Sequence, residues 1–216
     1  VILPESIATK VGLSPSTDEA INLKMVDIKT KDDQDGEGKT VRQKVKSEEA
    51  AKKKVQAASE SVNQTVTFDD FNFDFMFIDE SHNGKAIFKS KRSRGLGFKG
   101  GRESERAMAM YKKMEAVRMK TGGKYTFGNT ATPISNSPIE LFNQLHLMGG
   151  GDELQKRGIN TIDDFIDEFC EVEEVIAVDW ATSEPKQKKK LVGFHRVGKL
   201  QELFKKYVDY QYDPEA

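Results

Sequence analysis

"FNFDFMFIDESH", residues 71–82, is the stretch on which the fold turns. Phe71, Phe73, Phe75 and Phe77 recur at every second position, and residues 75–78 are continuously apolar. That pattern predicts a β-strand buried on both faces, as in a parallel sheet. The run stops abruptly on Asp79 and Glu80. An adjacent Asp and Glu at a strand end has three readings: a solvated turn, an acidic metal site, or the carboxylate half of a nucleotide-hydrolysing site. Charge at the end of a buried strand is costly to desolvate unless a cation or a water network meets it, which favours chemistry over the turn. A Mg²⁺ ion on nucleotide phosphates takes only one or two protein carboxylates, a role that suits Asp79. Glu80 could then polarise the water that attacks the γ-phosphate. His82 would face the next element, and a structural histidine bonded to a neighbouring loop is its other reading.

Outward from this strand, a loop "NGKAIFKSKRSRGLGFKGGR" leads to a predicted helix over residues 103–120, with Met110, Met114 and Val117 at i, i+4 and i+7 as core. A short strand at "KYTFGN" follows, then a second helix opened by Ser137, Pro138 and Glu140 as cap, first position and capping box, and ended by residues 149–151. "TIDDFIDEFC" is a further helix capped by Thr161 with Ile162, Phe165, Ile166 and Phe169 inward, and "VGKLQELFKKYVDY" is another. Strand, helix, strand, helix in order predicts an α/β layer with a parallel sheet, and ligands of such sheets bind beyond the carboxyl ends of the strands. Asp79 and Glu80 would sit there. Upstream, "VIL" suits a strand end leading into a loop or short helix, and residues 30–65 are charged, helix-prone and nearly without apolar anchors.

"DESH" followed by "NGK" at residues 79–85 resembles the DEAH-type motif II of superfamily-two helicases, and "GNTATPISNSPIELFNQLHLM" resembles motif III of their Snf/Swi-type branch. The two lie in order, about fifty residues apart, with a helix and strand between them. The resemblance implies a partial RecA-like (P-loop NTPase) fold: a parallel sheet flanked by helices, with a charged helical insertion. It implies ATP and Mg²⁺ as cofactors, Asp79 serving Mg²⁺ and Glu80 activating water. His82, Thr130, Thr132 and Asn136 would couple nucleotide state to movement on double-stranded DNA. Pro133 matches the motif III tail and Lys85 a lysine frequent after motif II. Ser81 stands for the usual alanine and Ala86 where the branch often has Asn. On this scheme residues 1–29 are an opening strand and helix, 30–65 an insertion, 66–150 the core with motifs II and III, and 151–216 the helical end of the lobe.

No G-x-x-x-x-G-K-[ST] occurs in the 216 residues, so the phosphate cradle of such a motor is not in this sequence. The chain therefore reads as a fragment, inactive alone, whose partners are the remainder of the motor: the Walker A segment and the second lobe. That it opens without Met on an apolar run agrees. "GLGFKG" matches G-x-G-x-x-G only formally, because it follows a basic loop rather than a strand. Lys91, Arg92, Arg94 and Lys99 of that loop, with Lys89, Arg102 and Phe98, suit nucleic-acid phosphates and one stacking ring, and a solvated loop is the alternative. Lys186, Lys188, Lys189 and Lys190 read as a surface turn in a hairpin-like context.

Bulk properties constrain rather than identify. The net charge of −1 leaves nucleic-acid affinity to local patches. One cysteine, Cys170, excludes an internal disulfide and a cysteine zinc cluster and reads as a buried thiol. Apolar runs are too short for a membrane span, which leaves a cytoplasmic protein as the expectation. The long insertion and divergent loops suggest an enzyme of a phage or mobile element, and the resemblance alone, by family analogy, implies a tie to restriction or DNA modification. There are two rivals: an unwinding helicase or restriction-type translocase with the same motor, and a non-catalytic DNA- or protein-binding module derived from a helicase lobe.

Overall fold

The alternating phenylalanines do not form one long strand. In the computed structural model, which describes residues 4, 8–29, 66–88, 96, 104–134, 139–178 and 185–209, Phe68–Phe71 form a 3-10 turn and Met76–Ile78 alone form a strand, β1. The cause is local. Thr67 caps the turn, the Asp70 carboxylate accepts the Thr67 N–H at 2.7 Å, and Asn72 closes it in left-handed backbone. These bonds to Thr67 hold the Asp70 carboxyl below its ordinary range.

Two compact units divide the chain, Val1–Asp74 and Phe75–Ala216. In the first, helix α1 (Pro15–Lys29) buries Ile21, Met25 and Ile28, spaced i, i+4 and i+7. The Asp69 carboxylate accepts from the Ser14 N–H at 2.7 Å and the Thr17 hydroxyl at 2.5 Å, tying the 3-10 turn to the start of α1. The opening strand at residues 1–3 and the charged insertion at 30–65 lie outside the described residues.

The second unit begins with β1, which pairs in parallel with β2 (Thr126–Gly128), Ile78 lying opposite Gly128. Between them runs α2 (Glu105–Thr121), capped by the Ser104 hydroxyl and ended by Gly122 at φ 66, where a left-handed turn needs glycine. Met110, Met114 and Val117 are buried, as their spacing predicts. A parallel pair joined through a helix is the unit of an α/β fold. Burial of β1 on both faces is not observed: Ile78 is 6% exposed but Phe77 is 51% and Phe75 is 55%. The outward Phe75 ring instead meets an aromatic of β2, with Phe75 and Phe127 lying 5.6 Å apart.

Helix α3 (Ile139–Leu147) follows, with all nine residues buried; the predicted cap at Ser137 and Pro138 lies outside the described residues. After Gly149, in left-handed backbone at φ 88, come the short helix α4 (Gly151–Lys156) and then α5 (Ile162–Phe169). Thr161 and Asp164 form the capping box of α5, and its predicted stripe of Ile162, Phe165, Ile166 and Phe169 is buried. Rings of Phe88, Phe142, Phe165 and Phe169 follow one another through the core at tilted or edge-on angles. Arg118 of α2 caps the end of α3, donating to the carbonyls of Leu147 at 2.9 Å and His146 at 3.4 Å.

Residues 151–216 are not wholly helical, contrary to expectation. A hairpin of β3 (Cys170–Val178) and β4 (Pro185–Phe194) precedes the last helix, α6 (Val197–Lys205). Lys186, Lys188, Lys189 and Lys190 thus belong to a strand rather than a turn. The reason is charge complementarity across the ladder, with Glu173 opposite Lys190 and Glu174 opposite Lys189. Glu168 of α5 accepts from Arg196 and lies 3.7 Å from Lys199, so both ends of the hairpin are tied together at its base. Cys170 is a buried thiol, as expected. Among the described residues no helix is long and apolar enough to cross a membrane.

Candidate active site

Parallel pairing places the carboxyl ends of β1 and β2 side by side, and the candidate residues leave from both. The Ile78 carbonyl accepts the Asn129 N–H at 3.1 Å, which carries the ladder one step past β2. Asp79 and Glu80 then turn outward and are exposed. Glu80 adopts left-handed backbone (φ 53, ψ 52), a conformation that costs an L-residue about 1–3 kcal/mol and persists only where its surroundings impose it. Here its N–H donates to the Asp79 carboxylate at 3.1 Å and to the Asn129 side-chain oxygen at 3.2 Å.

From this corner the Glu80 side chain folds back, and its carboxylate lies 3.0 Å from His82 Nδ1. The same nitrogen is 3.0 Å from Thr130 Oγ1, which accepts the Thr132 N–H at 3.1 Å. Glu80, His82, Thr130 and Thr132 are therefore brought into one chain of contacts, with Asp79 beside it. His82 bonds a neighbouring loop and an acidic partner at once. A proton on Nδ1 can be shared between the Glu80 carboxylate and the Thr130 hydroxyl, so the ring couples the acid to the loop after β2. Lys85 lies away from the acids, its Nζ 3.6 Å from Glu140 of α3, and the Ala86 carbonyl accepts the Ser104 N–H. Asn136, Lys91, Arg92, Arg94 and Lys99 lie outside the described residues.

Close packing explains the small residue at position 81. A Cβ on Gly128 would come within 2.9 Å of Ser81 Cβ and 2.7 Å of Met148 Cε, and a Cβ on Gly84 within 2.5 Å of a Leu147 methyl. The 3-10 turn Ser81–Gly84 is thus pressed between β2 and α3.

Amide side chains hold this turn, and although Asn143 and Gln144 lie within the quoted motif III stretch, they occupy none of its matched positions. Asn143, 2% exposed, accepts the Phe88 N–H at 2.9 Å and donates to the carbonyls of Lys85 at 2.8 Å and Phe88 at 3.2 Å. Gln144 donates to the Ser81 carbonyl at 3.0 Å, on the far side of the corner from Asn129. Their one signal in the sequence is polarity on a helix whose neighbours are otherwise apolar.

Among the described residues no three His, Cys, Asp or Glu side chains gather as a metal cage. A cation here would be held by Asp79, with a bound molecule supplying its other ligands, which is the habit of Mg²⁺ on phosphates. The exposed Asp79 carboxylate at the sheet end fits that demand.

Comparison with known proteins places these features. No solved structure matches the chain. It is similar to "Defense against restriction protein B" of Escherichia phage P1, with 30% identity over 168 residues that make up 74% of this chain and 7% of that protein. The chain thus spans a small part of the length of this relative. The family described as "Probable helicase domain" matches residues 7–212, a range that takes in β1, β2 and every candidate residue between and beyond them. By that match, the chain belongs to the probable helicase domain family.

Proposed function

We propose that the chain is the carboxyl-terminal part of a RecA-like motor lobe of the superfamily-two, Snf/Swi-like branch, working in an ATP-driven translocase on double-stranded DNA. The observation that carries this reading is the contact chain from Glu80 through His82 to Thr130 at the carboxyl ends of two parallel strands. It joins a carboxylate suited to water activation to the loop that follows the neighbouring strand, which a motor needs in order to turn hydrolysis into movement. Asp79 would hold Mg²⁺, which when bound offsets the charge of the phosphates. Glu80 would release His82, orient a water and accept its proton. His82 and Thr130 would report that change to Thr132 and Asn136.

The outward aromatic face of β1 and β2 supports a larger sheet, since parallel sheets are covered on both faces. The sequence has no Walker A motif, so the phosphate cradle and the second lobe would come from the remainder of a longer motor. Residues 1–29, 66–150 and 151–216 would be successive parts of one lobe interrupted by the 30–65 insertion. The name of the phage relative, a defence against restriction, supports a role for this chain in countering restriction, and a cytoplasmic setting goes with that reading.

The test is Glu80→Gln in the full-length gene product. ATP binding should persist while turnover falls about 10²–10⁴-fold, the usual worth of a positioned base. Near wild-type turnover would return the lobe to the rival reading, a non-catalytic DNA- or protein-binding module.

A further inference from the structure

We infer that Asn129 and Gln144 are positioning residues of the candidate acid Glu80, holding its backbone from two sides. This rests on the reading of Glu80 as the water-activating group. The geometry is specific to the corner. Three successive peptide planes flank Glu80 and Ser81, and each has a partner from another element. The N–H of the 79–80 peptide is held by the Asn129 side-chain oxygen at 3.2 Å, and that of the 80–81 peptide by the Asn129 carbonyl at 2.7 Å. The carbonyl of the 81–82 peptide is held by Gln144 Nε2 at 3.0 Å. Gln144 is 5% exposed, so its amide has been taken out of water to make this bond.

The corner needs such support because Glu80 is left-handed without being glycine. Unsupported, its backbone would relax toward a β or right-handed conformation, and the carboxylate would swing away from His82 and from any water it serves. The two amides come from different elements, Asn129 from the end of β2 and Gln144 from the middle of α3, so the posture of the acid depends on both.

Two variants of the full-length gene product test this, Asn129→Ala and Gln144→Met, with Asn129→Asp as the conservative replacement that keeps the accepting oxygen. Amide hydrogen exchange should rise at least about 10-fold at residues 80–82 in the first two variants and remain unchanged in α2 and α5. ATP turnover should fall about 10–100-fold with KM for ATP altered less than about 2-fold, as expected when a reacting group is displaced by an ångström or so. Asn129→Asp should recover exchange protection at residue 80.

Uniform loss of protection across α2 and α5 would mark a merely structural role and overturn the inference. So would unchanged exchange at residues 80–82, or unchanged turnover where Glu80→Gln abolishes it. If Glu80→Gln itself leaves turnover intact, the catalytic reading of Glu80 fails and the positioning role falls with it, while the exchange data still report whether the corner is held.

Discussion

Residues of the candidate site divide by whether their role depends on chain neighbours or on distant ones, and His146 shows the second kind at its most extreme. Its ring lies 4.5 Å from that of Phe142 and 5.1 Å from that of Phe88, and its Nε2 has no hydrogen-bond partner among the described residues. Burial, with the nearby Arg118 charge second, pushes its pKa down to about 3. The folded protein thus keeps the ring neutral where the unfolded chain, with a histidine near its ordinary ~6.5, takes up a proton. Below about pH 6.5 the unfolded state binds more protons, so stability falls on acidification with a slope approaching ~1.4 kcal/mol per pH unit. His146→Phe removes both the titration and the orphaned nitrogen. Denaturant midpoints at about pH 7 and about pH 5 should diverge in the wild type and lie closer together in the variant. Equal divergence in both would show that other groups carry the acid sensitivity. Asp79, Glu80, His82 and Thr130 stand out as candidates in the sequence because they match motif positions, whereas Asn129, Gln144 and His146 lie within the quoted motif III stretch at positions that carry no motif role, and their contacts show only in the fold.

At the scale of elements, what was legible is what is decided locally. The stripes of α2 and α5 and the cap at Thr161 follow from spacing and from a capping box within four residues. The same local logic misled at residues 66–78, where alternation of phenylalanines outweighed the weaker cap signal of Thr67 and Asp70, which turns the chain before β1. The burial of all of α3 was illegible for a different reason: Glu140, Asn143, Gln144 and His146 are polar, and spacing alone gives no sign that they are buried. This contrast makes a quantitative expectation. Thr161→Ala removes one cap bond and should cost about 1 kcal/mol. Asn143→Leu leaves the Phe88 N–H and two carbonyls without their partner in a buried setting, at about 1–3 kcal/mol for each group that water cannot reach, and should cost more. Urea unfolding of the two variants decides it, and a greater destabilisation by Thr161→Ala than by Asn143→Leu would show that the amide is not what holds residues 85–88 to α3.

For the molecule as a whole, any affinity for DNA, which the proposed function requires, cannot come from total charge, because 34 basic residues are balanced by 35 acidic ones. It has to come from where the bases are placed. The hairpin does not supply it freely: Lys189 and Lys190 of β4 stand opposite Glu174 and Glu173 of β3, so acidic neighbours offset much of their field. The sequence between residues 89 and 102 differs, since Lys89, Lys91, Arg92, Arg94, Lys99 and Arg102 fall there with no acidic residue among them. Every phosphate that the protein ceases to neutralise should lower the salt dependence of binding by about 0.9 in log–log slope. Replacing Lys91, Arg92 and Arg94 together by Gln in the full-length gene product should therefore weaken duplex binding and flatten the slope by about 2–3. A salt titration with a short duplex measures both quantities. Unchanged affinity and slope would make the loop a solvated surface and leave DNA binding to a different part of the motor, whereas weaker binding at an unchanged slope would mean that the loop acts through shape rather than charge.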